Sequence, residues 1–311
     1  MATASPPIGL ALGSGSARGW SHIGVIHELE QLGIRPDIIC GSSIGALVGA
    51  SLASGRLDTL EAWLRKLTVR DILKLIDLSF TGGGLIQGDK LAQAFCHFVA
   101  DVDIEELPLR YGAVATDIEA GREVWFRSGP LLNAVHASIA IPGLFPARRY
   151  QDRWLVDGGL VNPVPVSMCR AMGAEIVIAV NLNSELPGSK ARAADRRTRL
   201  ALSLSQHELV DKIAETLAPI RERIETILPA DNSGERSPGM FETMNASIDI
   251  MQDRITKSRL AGDPPDVLIS PHLAHMGWLE FDRAAEAIRE GRAAVRRAVA
   301  AGAFRTLLPD H

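Results

Sequence analysis

The pattern that most restricts this chain is a strand that breaks into a glycine-rich turn and then a helix, written twice within residues 8–55. Ile8-Gly9-Leu10-Ala11-Leu12 is a short apolar run ending in Gly13-Ser14-Gly15-Ser16-Ala17-Arg18-Gly19. After it Ile23, Val25, Ile26 and Leu29 recur at helical spacing as far as Leu32-Gly33. Gly33 suits the position just past a helix, Pro36 follows it, and Asp37-Ile38-Ile39-Cys40 reads as a second buried strand. Gly41-Ser42-Ser43-Ile44-Gly45 then opens a helix of small and apolar residues. This β-α-β-α order with short connections predicts parallel pairing and right-handed crossovers, hence an α/β fold with a mainly parallel central sheet.

Further along, Leu57 to Leu78 predicts a helix, Thr81-Gly82-Gly83-Gly84-Leu85 a loop, and Gly88 to Val99 another helix. Tyr111 to Thr116 and Glu123 to Phe126 predict strands joined by the turn Glu119-Ala120-Gly121-Arg122. Leu131 to Ala140 predicts a helix closed by Ile141-Pro142-Gly143, and Trp154-Leu155-Val156 leads into Asp157-Gly158-Gly159. Val161-Asn162-Pro163-Val164-Pro165 cannot run as a central strand, because its prolines lack amide donors. A helix over Val166 to Ala171 and a buried strand over Glu175 to Val180 follow.

Between Leu186 and Gln206 the composition turns basic, with Lys190, Arg192, Arg196, Arg197 and Arg199 against Asp195 alone. Leu209, Ile213, Leu217 and Ile220 continue at helical spacing, and Pro229 to Gly239 reads as a polar loop. A helix over Asn245 to Leu260, a strand over Asp266 to Ser270 and a helix over Asp282 to Ala301 complete the chain. The expected division is a disordered N-terminus over 1–7, a core over 8–184, a mobile and partly helical basic insertion over 185–244, and a C-terminal part of the same domain over 245–311.

Composition removes several classes of function. The chain has 311 residues, 46% hydrophobic and 23% charged, which is ordinary globular composition. A net charge of −4 offers no global attraction to nucleic acid. Cys40, Cys96 and Cys169 are odd in number and widely spaced, so neither a disulfide framework nor a zinc site is expected, and a reducing, cytoplasmic setting is. The longest apolar run, Ile44 to Ala53, falls short of the ~20 residues a membrane span needs. Met1 to Pro7 does not read as a signal peptide.

The chemistry centres on Gly41-x-Ser43-x-Gly45, which lies between a buried strand and a small-residue helix, the setting of a nucleophile elbow. Flanking glycines let the chain turn tightly enough for Ser43 to project above the sheet, while the helix behind it aims amides and a positive dipole end at the reacting centre. A turn that serves only helix–strand packing uses the same residue types. In a parallel sheet the Gly13 to Gly19 turn emerges at the same edge. The amides of Gly15 and Ser16 can then point at the oxygen that becomes negative when Ser43 attacks an ester carbonyl. Arg18 either holds that loop or meets an anionic substrate. Gly13-x-Gly15 also fits a dinucleotide loop, but the end of the second strand carries Cys40-Gly41-Ser42-Ser43 where such a site wants an acid, and no Lys-Ser/Thr completes a P-loop.

A serine hydroxyl needs a base at neutral pH. His272 and His275 fit the chain order serine, aspartate, histidine of α/β-hydrolases, yet Ser43 follows only the second strand, where that fold normally has several strands before its elbow. Both also read as plain loop or surface residues, and His22 and His27 sit on the first helix. Asp157-Gly158-Gly159 ends a strand, and a carboxylate desolvated beside the serine has its pKa raised toward useful basicity. A turn with Asp at its first position is the simpler account of the same three residues.

Taken together, four blocks resemble the patatin-like phospholipases, and among them the bacterial RssA-like proteins similar to the catalytic domain of neuropathy target esterase. Gly13 to Gly24 matches the glycine-rich oxyanion block, with Gly13, Ser14, Gly15, Ser16, Arg18 and Gly19. Gly41 to Gly45 matches the elbow, Ser138-Ile139-Ala140-Ile141-Pro142-Gly143-Leu144-Phe145-Pro146 the Ser-x-Ala-x-Pro block, and Asp157, Gly158 and Gly159 the aspartate block. Ser247-Ile248-Asp249-Ile250-Met251-Gln252 and Pro271-His272-Leu273 also look like that subgroup.

The resemblance implies a three-layer α/β/α fold with the elbow after the second strand, and a dyad without histidine in which Ser43 is the nucleophile and Asp157 the base. It also implies a phospholipid or lysophospholipid substrate, with neither metal nor organic cofactor. Ser14 and Ser16 depart from the pattern, standing where many members carry glycine, which puts the backbone angles of the oxyanion loop in question. A regulatory or scaffold protein of patatin architecture with little turnover is the alternative from a different class. The Lys190 to Arg199 stretch reads either as a peripheral contact to an anionic membrane or as a solvated linker. No nucleic-acid partner is expected, and a homo-oligomer is left open.

Overall fold

The computed structural model describes residues 6–75, 89–184 and 240–305, with Leu307. Strands β1 (Ile8–Leu12), β2 (Ile38–Ser42), β3 (Arg110–Asp117), β4 (Arg122–Phe126), β5 (Arg148–Tyr150), β6 (Arg153–Asp157), β7 (Ile176–Val180) and β8 (Val267–Ile269) form one sheet. Its order is β5-β6-β3-β2-β1-β7-β8, with β4 added to β3. The run from β3 through β2, β1 and β7 to β8 is parallel, and the pairs β3–β4, β3–β6 and β5–β6 are antiparallel. The helices are α1 (Ser21–Gln31), α2 (Ile44–Ala53), α3 (Leu57–Leu64), α4 (Val69–Leu75), α5 (Asp89–Cys96), α6 (Leu131–Ser138), α7 (Val166–Ala171), α8 (Met240–Gly262) and α9 (Ala284–Ala300).

Side chains alternate across the sheet, and each face feeds its own core. Leu10, Leu12, Ile39, Tyr111, Ala113, Ile178 and Val180 pack under α1, α2, α6 and α9. Ala11, Ile38, Cys40, Val114, Val177 and Ala179 pack against Val166, Met168 and Cys169 of α7. Strands buried on both faces read as continuous apolar runs, which is why β1, β2 and β7 were visible in the sequence. α2 is buried along nearly its whole length. In α9 the positions Ala284, Ala287, Ile288, Gly291, Ala294 and Val295 are buried at helical spacing while its arginines and glutamates lie outward. α1 and α9 cross closely, because a Cβ on Gly24 would meet the Ile288 carbonyl and one on Gly291 the Ser21 carbonyl.

Several expectations need correction. The helix expected over 57–78 is two helices, because Thr68 and Asp71 bond each other's amides (3.2 and 3.3 Å) and start a new helix there. The helix expected over Asn245 to Leu260 begins earlier, at Met240, and ends at Gly262. The basic stretch Lys190 to Arg199 and the Thr81–Leu85 loop lie outside the described residues, as does 1–5 of the expected disordered N-terminus. Pro7 is already fixed, its carbonyl accepting from the Glu175 and Ile176 amides. β5 was not foreseen, since Arg148-Arg149-Tyr150 has no apolar signature. The three cysteines are free and buried. Among the described residues, no helix is long and apolar enough to cross a membrane.

Candidate active site

The site is made by a handover along one edge of β3. β4 pairs with Ala113 to Asp117, so β2, which pairs with Arg110 to Val114, and β6, which pairs with Ala115 to Asp117, must share the opposite edge end to end. β2 stops at Ser42 opposite Val114, and the antiparallel β6 stops at Asp157 opposite Ala115. The residue that follows β2 and the last residue of β6 therefore face each other. Ser43 Oγ donates to Asp157 Oδ2 at 2.5 Å although the two are 114 positions apart in sequence.

Ser43 is held in a conformation few residues adopt, with φ 57° and ψ −128°, a strain that survives only where the surroundings impose it. A Cβ on Gly41 would strike the backbone of Ala46, and one on Gly45 would strike the Leu12 carbonyl, so the turn closes only with glycine at both places. The Ser43 amide donates to Ser138 Oγ at 2.9 Å, and that hydroxyl donates to the Val114 carbonyl at 2.6 Å. Ser138 thus ties the elbow to β3. The first turn of α2 begins immediately behind Ser43 and puts the positive end of the helix dipole there.

Asp157 is 1% exposed. Its Oδ1 accepts from the Gly159 amide at 2.7 Å, its own amide donates to the Ala140 carbonyl at 2.9 Å, and its carbonyl accepts from Thr116 Oγ1 at 2.7 Å. Ala140 precedes Pro142 by two residues, so the Ser-x-Ala-x-Pro block supports both members of the pair. Burial pushes the carboxyl up to about 7, against the pull of its hydrogen bonds from Ser43 and Gly159. A Cβ on Gly158 would collide with the Val114 carbonyl, which keeps that position to glycine.

The glycine-rich loop sits beside the elbow, joined to it by Ser14 Oγ donating to Ser42 Oγ at 3.2 Å. The Gly13 and Ser14 amides are engaged, with the carbonyls of Val180 (3.1 Å) and Pro163 (2.8 Å). The Gly15 and Ser16 amides have no acceptor among the described residues. Of the two serines that replace glycine, only Ser16 takes a positive φ, 49°, and its Oγ donates to the Trp278 carbonyl at 2.7 Å. Gly19 lies against Ile44 with no room for a Cβ.

Arg18 does not lie open to a ligand. It is buried, donates from Nε to the Met276 carbonyl at 3.1 Å, reaches Asn183 Oδ1 at 3.2 Å, and pairs with both oxygens of Asp249 at 3.4 and 3.1 Å. Asp249 also accepts from Trp278 Nε1 at 3.0 Å, and Asn183 Nδ2 donates to Gln252 Oε1 at 2.8 Å. Of its two sequence readings, holding the loop is the one this geometry favours. Ser138, Asn183, Asp249, Gln252 and Trp278 were missed as supports. Ser138 and the Ser247 to Gln252 run stand inside blocks already noted, but no local pattern says what they touch.

The histidines stand apart. His275 pairs with Glu286 at 2.7 Å on the surface, and the His272 amide donates to Glu290. His22 is buried on α1, donates to the Gly13 carbonyl at 2.8 Å, and burial lowers its pKa to about 4, so it is a neutral prop beneath the loop. Among the described residues no histidine bonds to Ser43 or Asp157. The structure therefore does not assemble the serine–aspartate–histidine alternative. His27, Asp58 and Glu61 come together at the surface, but His27 and Arg65 already take the oxygens of Glu61.

Residues 10–170 match the family profile described as Patatin-like phospholipase. An uncharacterised NTE family protein of Mycobacterium tuberculosis is 39% identical over 334 aligned positions, spanning 96% of this chain and 93% of that protein. Patatin-like phospholipase domain-containing protein 6 of Homo sapiens is 34% identical over 57% of this chain and 13% of its own length. Neuropathy target esterase sws of Drosophila melanogaster gives the same identity and coverage. This chain belongs to the patatin-like phospholipase family.

Proposed function

We propose that the protein is a serine acyl hydrolase that cleaves fatty-acyl esters of phospholipid or lysophospholipid. The observation that carries this reading is the Ser43 Oγ–Asp157 Oδ2 hydrogen bond inside a buried site where Asp157 has a raised pKa and, among the described residues, no histidine bonds to either. A carboxylate of ordinary acidity is too weak a base to activate a serine, and one raised to about 7 is matched to neutral pH.

Ser43 Oγ attacks the ester carbonyl carbon while its proton passes to Asp157 Oδ2. The carbonyl oxygen, now negative, is held by the Gly15 and Ser16 amides, which have no acceptor among the described residues, in a loop fixed through Gly13, Ser14, Arg18 and the Ser16 hydroxyl. As the tetrahedral centre collapses, the same proton goes to the leaving alcohol. Asp157 then takes a proton from the incoming water, whose oxygen attacks the acyl-serine, and returns it to Ser43 as the fatty acid departs. None of these steps asks for a metal or organic cofactor. The names carried by the relatives support a lipid acyl ester as the substrate class.

The direct test is a fluorophosphonate probe, together with lysophospholipid turnover, on Ser43→Ala and Asp157→Asn. Labelling is lost in the first, and turnover in the second falls by roughly a hundred- to ten-thousand-fold. Labelling that persists in Ser43→Ala removes the nucleophile assignment.

A further inference from the structure

α8 carries a buried amide, Gln252, whose direction is dictated by a neighbour it does not touch. Arg18 can only donate, so the Asn183 atom that meets its Nη1 at 3.2 Å is the oxygen Oδ1. Asn183 Nδ2 is then turned to the Ser14 carbonyl at 3.5 Å and to Gln252 at 2.8 Å. A donor there requires Gln252 to present Oε1, which leaves Gln252 Nε2, a donor only, on the far side of its amide. Asp249, three residues earlier on α8, holds Arg18 in place and so fixes the direction of the whole series.

Nε2 lies against the turn that follows Asp157. A Cβ on Gly159 would come within 2.5 Å of Gln252 Nε2, 2.4 Å of Ser14 Oγ and 2.9 Å of Asp157 Oδ1, so three polar atoms surround a point that only glycine leaves open. Gln252 is 5% exposed, and nothing among the described residues accepts from its Nε2. Thr256 Oγ1, one turn along the same helix, is sealed without a partner, whereas Nε2 is not sealed and faces space that a water can reach. A donor this buried calls for an acceptor. The other two atoms call for donors, since Asp157 Oδ1 only accepts when ionised and Ser14 Oγ has given its own proton to Ser42 Oγ. A molecule held by all three receives one hydrogen bond and gives two, as a water does.

We propose that Gln252 is a water-positioning residue, whose Nε2 holds the water that releases the acyl group from Ser43. This rests on the acyl-hydrolase reading and concerns only the second half of that reaction. The water gives its hydrogens to Asp157 and Ser14 Oγ and receives from Nε2, which leaves one lone pair for the acyl carbon. That carbon is bonded to Ser43 Oγ, the atom beside the other oxygen of the same carboxylate. One proton passes from the water to Asp157 and the water oxygen bonds to the acyl carbon. The bond from that carbon to Oγ then breaks as the carboxyl returns the proton to Oγ. Attack of Ser43 on the ester uses no such water, so the two halves differ in their need for Gln252.

The test is rapid-mixing kinetics of the full chain with a p-nitrophenyl ester, in the native protein and in Gln252→Met and Gln252→Glu. The first variant keeps the length of the side chain without its polar atoms, and the second keeps the oxygen that meets Asn183 and loses only the donor. Rates are counted per site labelled by a fluorophosphonate, so a variant that folds only in part is still read. Both variants release a first equivalent of p-nitrophenol no more slowly than native turnover, then settle to a steady rate about a hundredfold below it. The mass of the intact protein shows the acyl group accumulating on Ser43. Thr256→Val, on the same helix, keeps the native steady rate. The proposal is overturned if the Gln252 variants hold the native steady rate, if their first turnover slows as much as the later ones so that no acyl-Ser43 accumulates, or if Thr256→Val behaves as they do. A native protein that turns the ester over without acylating Ser43 removes the hydrolase reading and this proposal with it. An acylated Ser43 with an indifferent Gln252 removes this proposal alone.

Discussion

Replacing Asp157 by Asn removes a charge that the fold has to bury, so the variant that loses activity gains stability, and the gain depends on pH in a way that can be worked out. Burial raises the carboxyl from 3.8 to about 7. Between those values the unfolded chain has released the proton while the folded chain still holds it. Stability of the native protein therefore falls as pH rises through that window, by about 1.4 kcal/mol per pH unit. Over the interval from 3.8 to about 7 the loss comes to about 4 kcal/mol, absent below the lower value and complete above the upper one. An amide keeps the shape, its oxygen still accepts from Gly159, and its nitrogen donates to Ser43 Oγ.

Exchanging an acceptor for a donor at Ser43 costs about 1 kcal/mol at every pH, so the variant is more stable than the native protein by about 3 kcal/mol near pH 8 and less stable by about 1 kcal/mol near pH 4. Urea denaturation of both proteins across that range reads the difference directly. A difference that does not change with pH, or a less stable variant near pH 8, means that the folded carboxyl titrates at an ordinary value. The base assigned to the mechanism would then be wrong.

The pH dependence of catalysis has the same origin. In the proposed mechanism Asp157 must be ionised to accept the serine proton, so kcat/KM on a soluble ester is expected to rise with pH to a midpoint at about 7 and to drop about tenfold per unit below it. Ser138→Ala leaves the Ser43 amide and the Val114 carbonyl buried without a partner, costing about 2–4 kcal/mol in urea denaturation, with a loss of kcat that exceeds any change in KM. Arg18→Met removes the ion pair of Asp249 and costs about 3–5 kcal/mol, and a guanidinium that only holds the loop predicts that activity falls on neutral and anionic esters alike. His272→Ala and His275→Ala keep turnover within about twofold of the native protein, and a much larger loss in either reopens the triad.

What was legible in the sequence is what a few neighbouring residues decide. The Gly41-x-Ser43-x-Gly45 turn could be found because the two glycines are demanded by contacts within the same β2–α2 unit and with adjacent β1. β7 could be found because a strand covered on both faces is apolar throughout. β5 has no such mark, because three residues at the sheet edge carry two arginines and draw their order from pairing with β6. The break between α3 and α4 depends on a reciprocal cap at Thr68 and Asp71 inside a run that otherwise keeps helical spacing.

The meeting of Ser43 with Asp157 belongs to neither kind. Each motif alone admits a structural explanation, and the motifs become a site because β2 releases the edge of β3 at Val114 and β6 takes it up at Ala115. A shift of one residue in the β3–β6 register would turn Asp157 to the other face of the sheet. That register is held by bonds that reach outside the pair, from Thr116 Oγ1 to the Asp157 carbonyl and from the Asp157 amide to Ala140, in the same block whose Ser138 holds the Ser43 amide. The Ser138 to Pro142 block therefore fixes Ser43 and Asp157 relative to one another. Ser138→Ala should accordingly lower kcat more than a loss of stability alone accounts for, whereas Arg18→Met, acting only on the loop, should leave the pH midpoint of Asp157 where it is.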